Sequence, residues 1–328
     1  MLYNIDHMRY LIGLLLSGGL MILAMPKFIA YLKKKHVNQV TSEYALQEFK
    51  EKEETPIMGG LLFVVIPIIV YIIIYFKGLG DRRLLFVLLS YVLYCSVGFI
   101  DDYLVISSHS NEGLSPITRL IMEFGYALIL FILFRDIIPT EIAIPFLKVS
   151  IPLKWYVFVP FMLLLYMAEA NAVNFTDGMD GLCAGVSFIG LVAFYVLSMF
   201  SKQYNVALFI ACVLGGLLGY LKFNFKPAKI FMGDSGSLAL GALFASLGIV
   251  LNQSVALFFI GGVFVVEMAC VLIQQIAVRA FHKRVFSYTP IHYAYVIKGI
   301  PETKIVEAFY LVELVLALIG LFIGFNAL

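Results

Sequence analysis

Charged residues are scarce in this chain. Asp, Glu, Lys and Arg make up 13% of its 328 residues, and apolar types reach 62%. Soluble domains run near about 25% charged and roughly 45–50% apolar, so no soluble domain of useful size fits here. Cysteine is equally sparse. Cys95, Cys183, Cys212 and Cys270 lie in or beside apolar runs with no paired spacing, and they read as small buried side chains. No small-residue cleavage site accompanies the first apolar run, Leu11–Tyr31, which therefore reads as a membrane span and not a removed signal. No internal repeat of the kind that marks a two-fold transporter is present.

What the chain has instead is apolar runs long enough to cross a bilayer, which takes about 20 residues per helix. Spans are expected over 10–32, 57–76, 84–100, 118–138, 155–172, 182–200, 204–221, 236–251, 253–279 and 305–325. The fold class is an all-α integral membrane protein, a polytopic bundle of about ten transmembrane helices in a single domain over 1–328. Of the 23 Lys and Arg residues, 15 fall on one side of these spans and 8 on the other. The positive-inside rule makes the richer side cytoplasmic and leaves both termini outside. The cytoplasmic loops are then 33–56, 101–117, 173–181, 222–235 and 280–304, and the external segment 139–153 reads as a short hairpin.

Every cytoplasmic loop carries a candidate motif, and the external connections carry none. Asp101-Asp102 follow Gly98-Phe99-Ile100 where the third span ends. In Asn171–Gly181, Asn174, Asp177 and Asp180 recur every three residues and share a helical face. Asn171 adds an amide, and Gly178 lets a ligand approach the backbone. Carboxylates with amides on one face suit a divalent cation or a sugar-phosphate, although one Asn or Asp there is explained by helix capping. Asn224, Lys226 and Lys229 precede Phe231-Met232-Gly233-Asp234-Ser235-Gly236-Ser237, a Gly-rich entry into a span. Backbone N–H groups at such a start favour anions, and a metal-bridged phosphate can reach Asp234. His292 can donate to a phosphate or steer a proton, and a lone histidine is as readily structural. Thr55-Pro56-Ile57-Met58-Gly59-Gly60, preceded by Lys50 and Lys52, opens the second span and is weak alone. Glu169 and Glu267 suit packing as well as function. Clustered acids at a membrane face cost desolvation energy and usually serve chemistry, so the pattern points to a membrane enzyme handling a metal and phosphates.

Together these segments resemble the polyprenyl-phosphate N-acetylhexosamine-1-phosphate transferase superfamily (glycosyltransferase family 4), from about Thr55 to Lys304. Gly98–Asp102, Asn171–Gly181 and Asn224–Ser237 match the whole superfamily. Thr55–Gly60 and Lys298-Gly299, Glu302 and Lys304 match its phospho-N-acetylmuramoyl-pentapeptide transferase branch. The chain departs from the branch at Val105 and at Arg119, where lysines are usual. Ile57 interrupts its Thr-Pro-Thr-Met-Gly-Gly, and its triple histidine reads His292, Tyr293, Ala294.

The resemblance implies Mg²⁺-dependent transfer of phospho-MurNAc-pentapeptide from UDP-MurNAc-pentapeptide to undecaprenyl phosphate in the bacterial cytoplasmic membrane. The products are lipid I and UMP, for peptidoglycan. It makes Asp234 the Mg²⁺ ligand and assigns the lipid phosphate to Asp101, with Asp102 in support. Asn171, Asn174, Asp177, Gly178, Asp180, Asn224 and Thr55 bind the nucleotide sugar, Phe231 stacks on uracil, and Arg119 and His292 contact phosphates. Direct attack is preferred to an aspartyl-phosphate intermediate, since a phosphate monoester is largely dianionic at neutral pH. Membrane lipids are partners, nucleic acid is not, and a homodimer is left open. The rival readings are a sister enzyme using UDP-GlcNAc, an anion transporter and a non-catalytic lipid scaffold.

Overall fold

Hydrocarbon offers no partner to a backbone N–H or C=O, so long apolar runs close their hydrogen bonds internally as helices. The structure, a computed structural model, describes residues 2–38, 55–108, 113–147 and 149–328. Lys50 and Lys52 lie outside the described residues. The helices are α1 (Leu2–Lys34), α2 (Gly60–Tyr75), α3 (Arg82–Ser108), α4 (Pro116–Phe134), α5 (Trp155–Thr176) and α6 (Leu182–Phe200). They continue as α7 (Tyr204–Asn224), α8 (Asp234–Val250), α9 (Ser254–Ile260), α10 (Gly262–Phe281), α11 (Ile291–Ile297) and α12 (Glu302–Phe325). The expected hairpin is present: β1 (Glu141–Ile144) pairs antiparallel with β2 (Val149–Pro152), with Glu141 opposite Pro152.

Among the described residues, nine helices are long and apolar enough to span a membrane: α1 to α7, α10 and α12. Ten were expected, and the tenth is α8, which still runs from Asp234 at the motif end to the hairpin end, where Asn252 accepts from Ala143 N–H, but is short for a crossing of about 20 residues. It has 17 residues, about 25 Å at 1.5 Å per residue, and every residue from Ser235 to Val250 is buried. Flanked chiefly by α3 and α5, α8 is the core of the bundle and is enclosed by protein along its length. The expected span 253–279 is likewise two helices, α9 and α10, parted at Gly261. All four cysteines are free and buried, as expected.

Hydropathy also placed several helix ends too early. α3 continues past Ile100 to Ser108, α5 past Ala172 to Thr176, and α7 past Leu221 to Asn224. A helix is held by i to i−4 bonds whatever the polarity of its side chains, so it outlasts its apolar run. Asp101, Asp102, Asn174 and Asn224 therefore ride on rigid helix ends and not on loops.

The chain alternates direction. The far end carries the hairpin, where Phe146 N–H donates to the Asn326 carbonyl (3.1 Å) and Ala143 N–H to Asn252 Oδ1 (3.3 Å). The other end collects every motif singled out above. There α3 presses directly onto the start of α8: a Cβ on Gly98 would collide with the Asp234 carbonyl and the Ser235 amide. Replacing Gly98 with alanine should therefore destabilise the protein by roughly 1–3 kcal/mol, the usual cost of overpacking. Thermal unfolding in detergent checks this, and an unchanged midpoint would contradict the close α3–α8 approach.

Candidate active site

The site is built on the first turn of α8. Gly233 takes a left-handed φ of 73°, and a side chain there would strike the Asp102 carboxylate, 2.7 Å from Oδ2. Asp102, buried at the end of α3, accepts from the backbone N–H groups of Asp234 and Ser235, each at 3.0 Å. One carboxylate thus satisfies two of the donors that a helix start leaves open, and it favours the positive end of the helix dipole. Asp102 faces the backbone of α8, and by holding that backbone it aims Asp234.

Asp234, half-buried, gathers side chains from two further helices. Arg119 Nη1 donates to its Oδ2 at 2.8 Å, and Asn174 Nδ2 to its Oδ1 at 2.8 Å. Asn174 also lies 2.9 Å from Ser237 Oγ, one turn along α8. Arg119 stands in the first turn of α4, whose start is fixed by Ser115 Oγ accepting from Thr118 N–H (3.1 Å). Behind it, fully buried Glu123 accepts from Arg119 Nε at 3.3 Å and from Asn171 Nδ2 at 2.9 Å. Asp101 Oδ1 accepts from Leu114 N–H at 3.0 Å, which ties the chain before α4 to the same corner.

Asp177 lies just beyond α5. Burial pushes its carboxyl from the ordinary 3.8 up to about 7, the negative field of Asp234 adds to this, and a hydrogen bond from the Gly233 backbone opposes it. Among the described residues the corner therefore holds the carboxyls of Asp101, Asp102, Glu123, Asp177 and Asp234 against the guanidinium of Arg119.

A second set of contacts hangs on the 177–181 turn. Tyr293 OH, from α11, donates to the Gly178 carbonyl at 3.1 Å. Fully buried His292 is held by Glu267 of α10, with Nδ1 3.0 Å from Oε1, and its Nε2 faces Gly178. Asp180 and Asn224 are spent inside the fold: Asp180 Oδ2 accepts from Ala228 N–H (3.0 Å), and Asn224 Oδ1 accepts from Gly181 N–H (3.1 Å). Glu302 joins the knot, accepting from Asp180 N–H (2.9 Å) and pairing with Lys226 (2.7 Å). Phe231 enters through a backbone strap, with its N–H on the Pro56 carbonyl and its own carbonyl accepting from Gly59 N–H, 2.8 Å each. Thr55 is half-buried at the outer end of that strap, and among the described residues no hydrogen bond joins it to the Asp234 group.

The structure thus brings Asp101, Asp102, Arg119, Asn171, Asn174, Asp177 and Asp234 into one corner, with Gly178 and His292 alongside. Glu123 was missed, although its place four residues after Arg119 puts both on one helix face. Glu267 and Glu302 have partners far away in sequence, which no local pattern announces.

Two buried nitrogens, Arg119 Nη2 and His292 Nε2, have no hydrogen-bond partner among the described residues. Buried polar atoms are costly unless paired; an anionic oxygen suits the Arg119 N–H, and suits His292 Nε2 when that nitrogen carries a proton. No group of three or more His, Cys, Asp or Glu among the described residues forms a metal cage. Magnesium does not need one: it takes one or two carboxylates and fills its sphere with water and substrate phosphate. Hard oxygen donors in carboxylate excess, with unpaired anion donors adjoining, fit that ion and a phosphorylated ligand together.

Fold and site together define an integral membrane enzyme with a carboxylate-rich centre at one end of a helical bundle. A family model described as glycosyl transferase family 4 matches residues 84–252, the stretch from α3 through α8. A phospho-N-acetylmuramoyl-pentapeptide-transferase of Staphylococcus aureus (strain bovine RF122 / ET3-1) is 39% identical over 317 residues, covering 94% of this chain and 98% of its own. One from Staphylococcus saprophyticus subsp. saprophyticus is 38% identical over 304 residues, covering 92% of this chain and 94% of its own. The chain belongs to glycosyl transferase family 4, in the branch of the phospho-N-acetylmuramoyl-pentapeptide-transferases.

Two outcomes are expected from the geometry. Asp102→Ala leaves two buried amides unsatisfied at the α8 start, at about 1–3 kcal/mol each, so the unfolding midpoint should fall well below that of the parent. Asp177 binds its proton more tightly folded than unfolded, so its contribution to stability is full below about pH 4 and is lost as pH rises through about 7. A metal-free unfolding series over that window should show the decline, and Asp177→Asn should flatten it.

Proposed function

We propose that this protein transfers phospho-MurNAc-pentapeptide from UDP-MurNAc-pentapeptide to undecaprenyl phosphate, releasing UMP and forming lipid I for peptidoglycan, with magnesium. The observation that carries the reading is the convergence of Asp101, Asp177 and Asp234 with Arg119 at the end of the bundle. The nucleotide sugar arrives from water while the acceptor is anchored in lipid, so the chemistry belongs where a helix bundle meets the membrane surface. Charge distribution supports the cytoplasmic surface, with both termini outside. The relatives, phospho-N-acetylmuramoyl-pentapeptide-transferases by name, favour the muramoyl-pentapeptide donor over UDP-GlcNAc.

Phosphoryl transfer needs alignment and charge neutralisation more than covalent help. Asp234 is the carboxylate that would hold magnesium, oriented by Arg119, Asn174 and the Asp102 anchor. The ion, when bound, polarises the pyrophosphate and offsets its charge. Arg119 Nη2 donates to phosphate oxygens, His292 Nε2 is turned to the same phosphates and donates to them only when the ring carries a second proton, and Asp101 would engage the acceptor phosphate by helping Asp234 hold the cation. The acceptor is largely dianionic near neutral pH, so it attacks directly with no base to remove a proton. The 177–181 turn and the Phe231 strap flank the corner and take the nucleotide.

Purified protein offered undecaprenyl phosphate with UDP-MurNAc-pentapeptide or UDP-GlcNAc, side by side, should release UMP with the first. Release only with UDP-GlcNAc reassigns the donor, and release with neither removes the reaction. Asp234→Asn should lower UMP release by roughly 100-fold or more and abolish the response to added Mg²⁺. An unchanged rate and Mg²⁺ titration would remove Asp234 as the ligand.

A further inference from the structure

We infer that Glu267 is a positioning residue for this transfer, fixing His292 with its proton on Nδ1 and its Nε2 turned to the reacting phosphates; this rests on the function proposed above. Glu267 lies on α10, well inside a helix that spans the bundle, and both it and His292 are fully buried. An ionisable group at such depth is costly, and a packing role would be served better by an apolar residue.

Both oxygens of Glu267 are committed to one short element. Oε1 stands 3.0 Å from His292 Nδ1, and Oε2 accepts from the Ile291 backbone N–H at 2.8 Å. The carboxylate therefore grips the imidazole and the first residue of α11 together, leaving the ring one orientation. A carboxylate only accepts hydrogen bonds, so Nδ1 carries a proton. Nε2 is then the ring position open to exchange. It is buried, has no partner among the described residues, and faces Gly178, next to Asp177 in the corner that gathers Asp234. Tyr293 OH on the Gly178 carbonyl holds the ring and that turn in register. The pairing spans 25 positions of sequence between two helices, so it is a tertiary device for presenting one nitrogen.

Glu267→Gln keeps the shape and one acceptor for Ile291. It sets an amide donor against Nδ1 and pushes the ring toward the opposite tautomer. In the full-length protein, kcat for UMP release should fall on the order of 10- to 100-fold, the usual effect of losing a carboxylate behind a working histidine. KM should stay nearly constant, and the loss should vanish on a His292→Ala background. Wild-type kcat in Glu267→Gln, or an equal loss in both backgrounds, overturns the proposal. ¹⁵N spectra of histidine-labelled wild type, with the His292 signal assigned from its absence in His292→Ala, need neither substrate nor a Glu267 variant. A proton on Nδ1 supports the pairing, and protonation at Nε2 alone overturns it. No UMP release from wild type with the Nδ1 proton present overturns the transfer reaction and leaves the pairing standing.

Discussion

The start of α8 is the constraint on which the site depends. A helix that begins inside a membrane protein exposes backbone amides that neither water nor lipid satisfies, and Asp102 supplies the acceptor for two of them. That contact locks α3 to α8, sets the left-handed turn at Gly233, and aims Asp234 outward toward Arg119 and Asn174. Gly98 permits it by keeping the α3 backbone against the Asp234–Ser235 peptide. The two adjacent aspartates of α3 therefore do different work: Asp102 faces the backbone, and Asp101 faces the corner closed by Leu114.

The electrostatics follow from this packing. Burial, with the negative field of Asp234 added to it, leads Asp177 to hold its proton to about pH 7. Hard carboxylate oxygens in excess suit the cation of the function proposed above, and Arg119 Nη2, without a partner among the described residues, suits an anionic oxygen. Glu123 and Glu267 stand one layer behind, each orienting a nitrogen-bearing side chain that reaches the site. The arrangement has a rigid acidic floor, basic or imidazole arms, and buried carboxylates that set the arms in place.

Much of the site was legible in order of sequence. Asp101, Asn174, Asp177 and Asp234 stood out because acids and amides interrupt apolar runs, and the structure gathers them. Asp180 and Asn224 stood out for the same reason, yet their side chains tie the turn between α5 and α6 to the chain after α7. Residue type told which positions are polar, and only packing told which of those polar groups are consumed by backbone partners.

The sequence by itself determined that the chain lives in a membrane, roughly where its helices run, and which stretches carry polar groups at one end. Hydropathy is a sum over neighbouring residues, so it needs no knowledge of the fold. Tertiary structure decided that α8 is a short buried core helix, that the run after it breaks at Gly261, and that helices continue past their apolar stretches into the motifs. It also decided the pairs that make the site: Arg119 with Asp234, 115 positions apart, and Asp102 with Ser235, 133 apart. Such pairings depend on how helices rotate and approach one another, and that is fixed by side-chain packing across the whole bundle, not by any local run of residues.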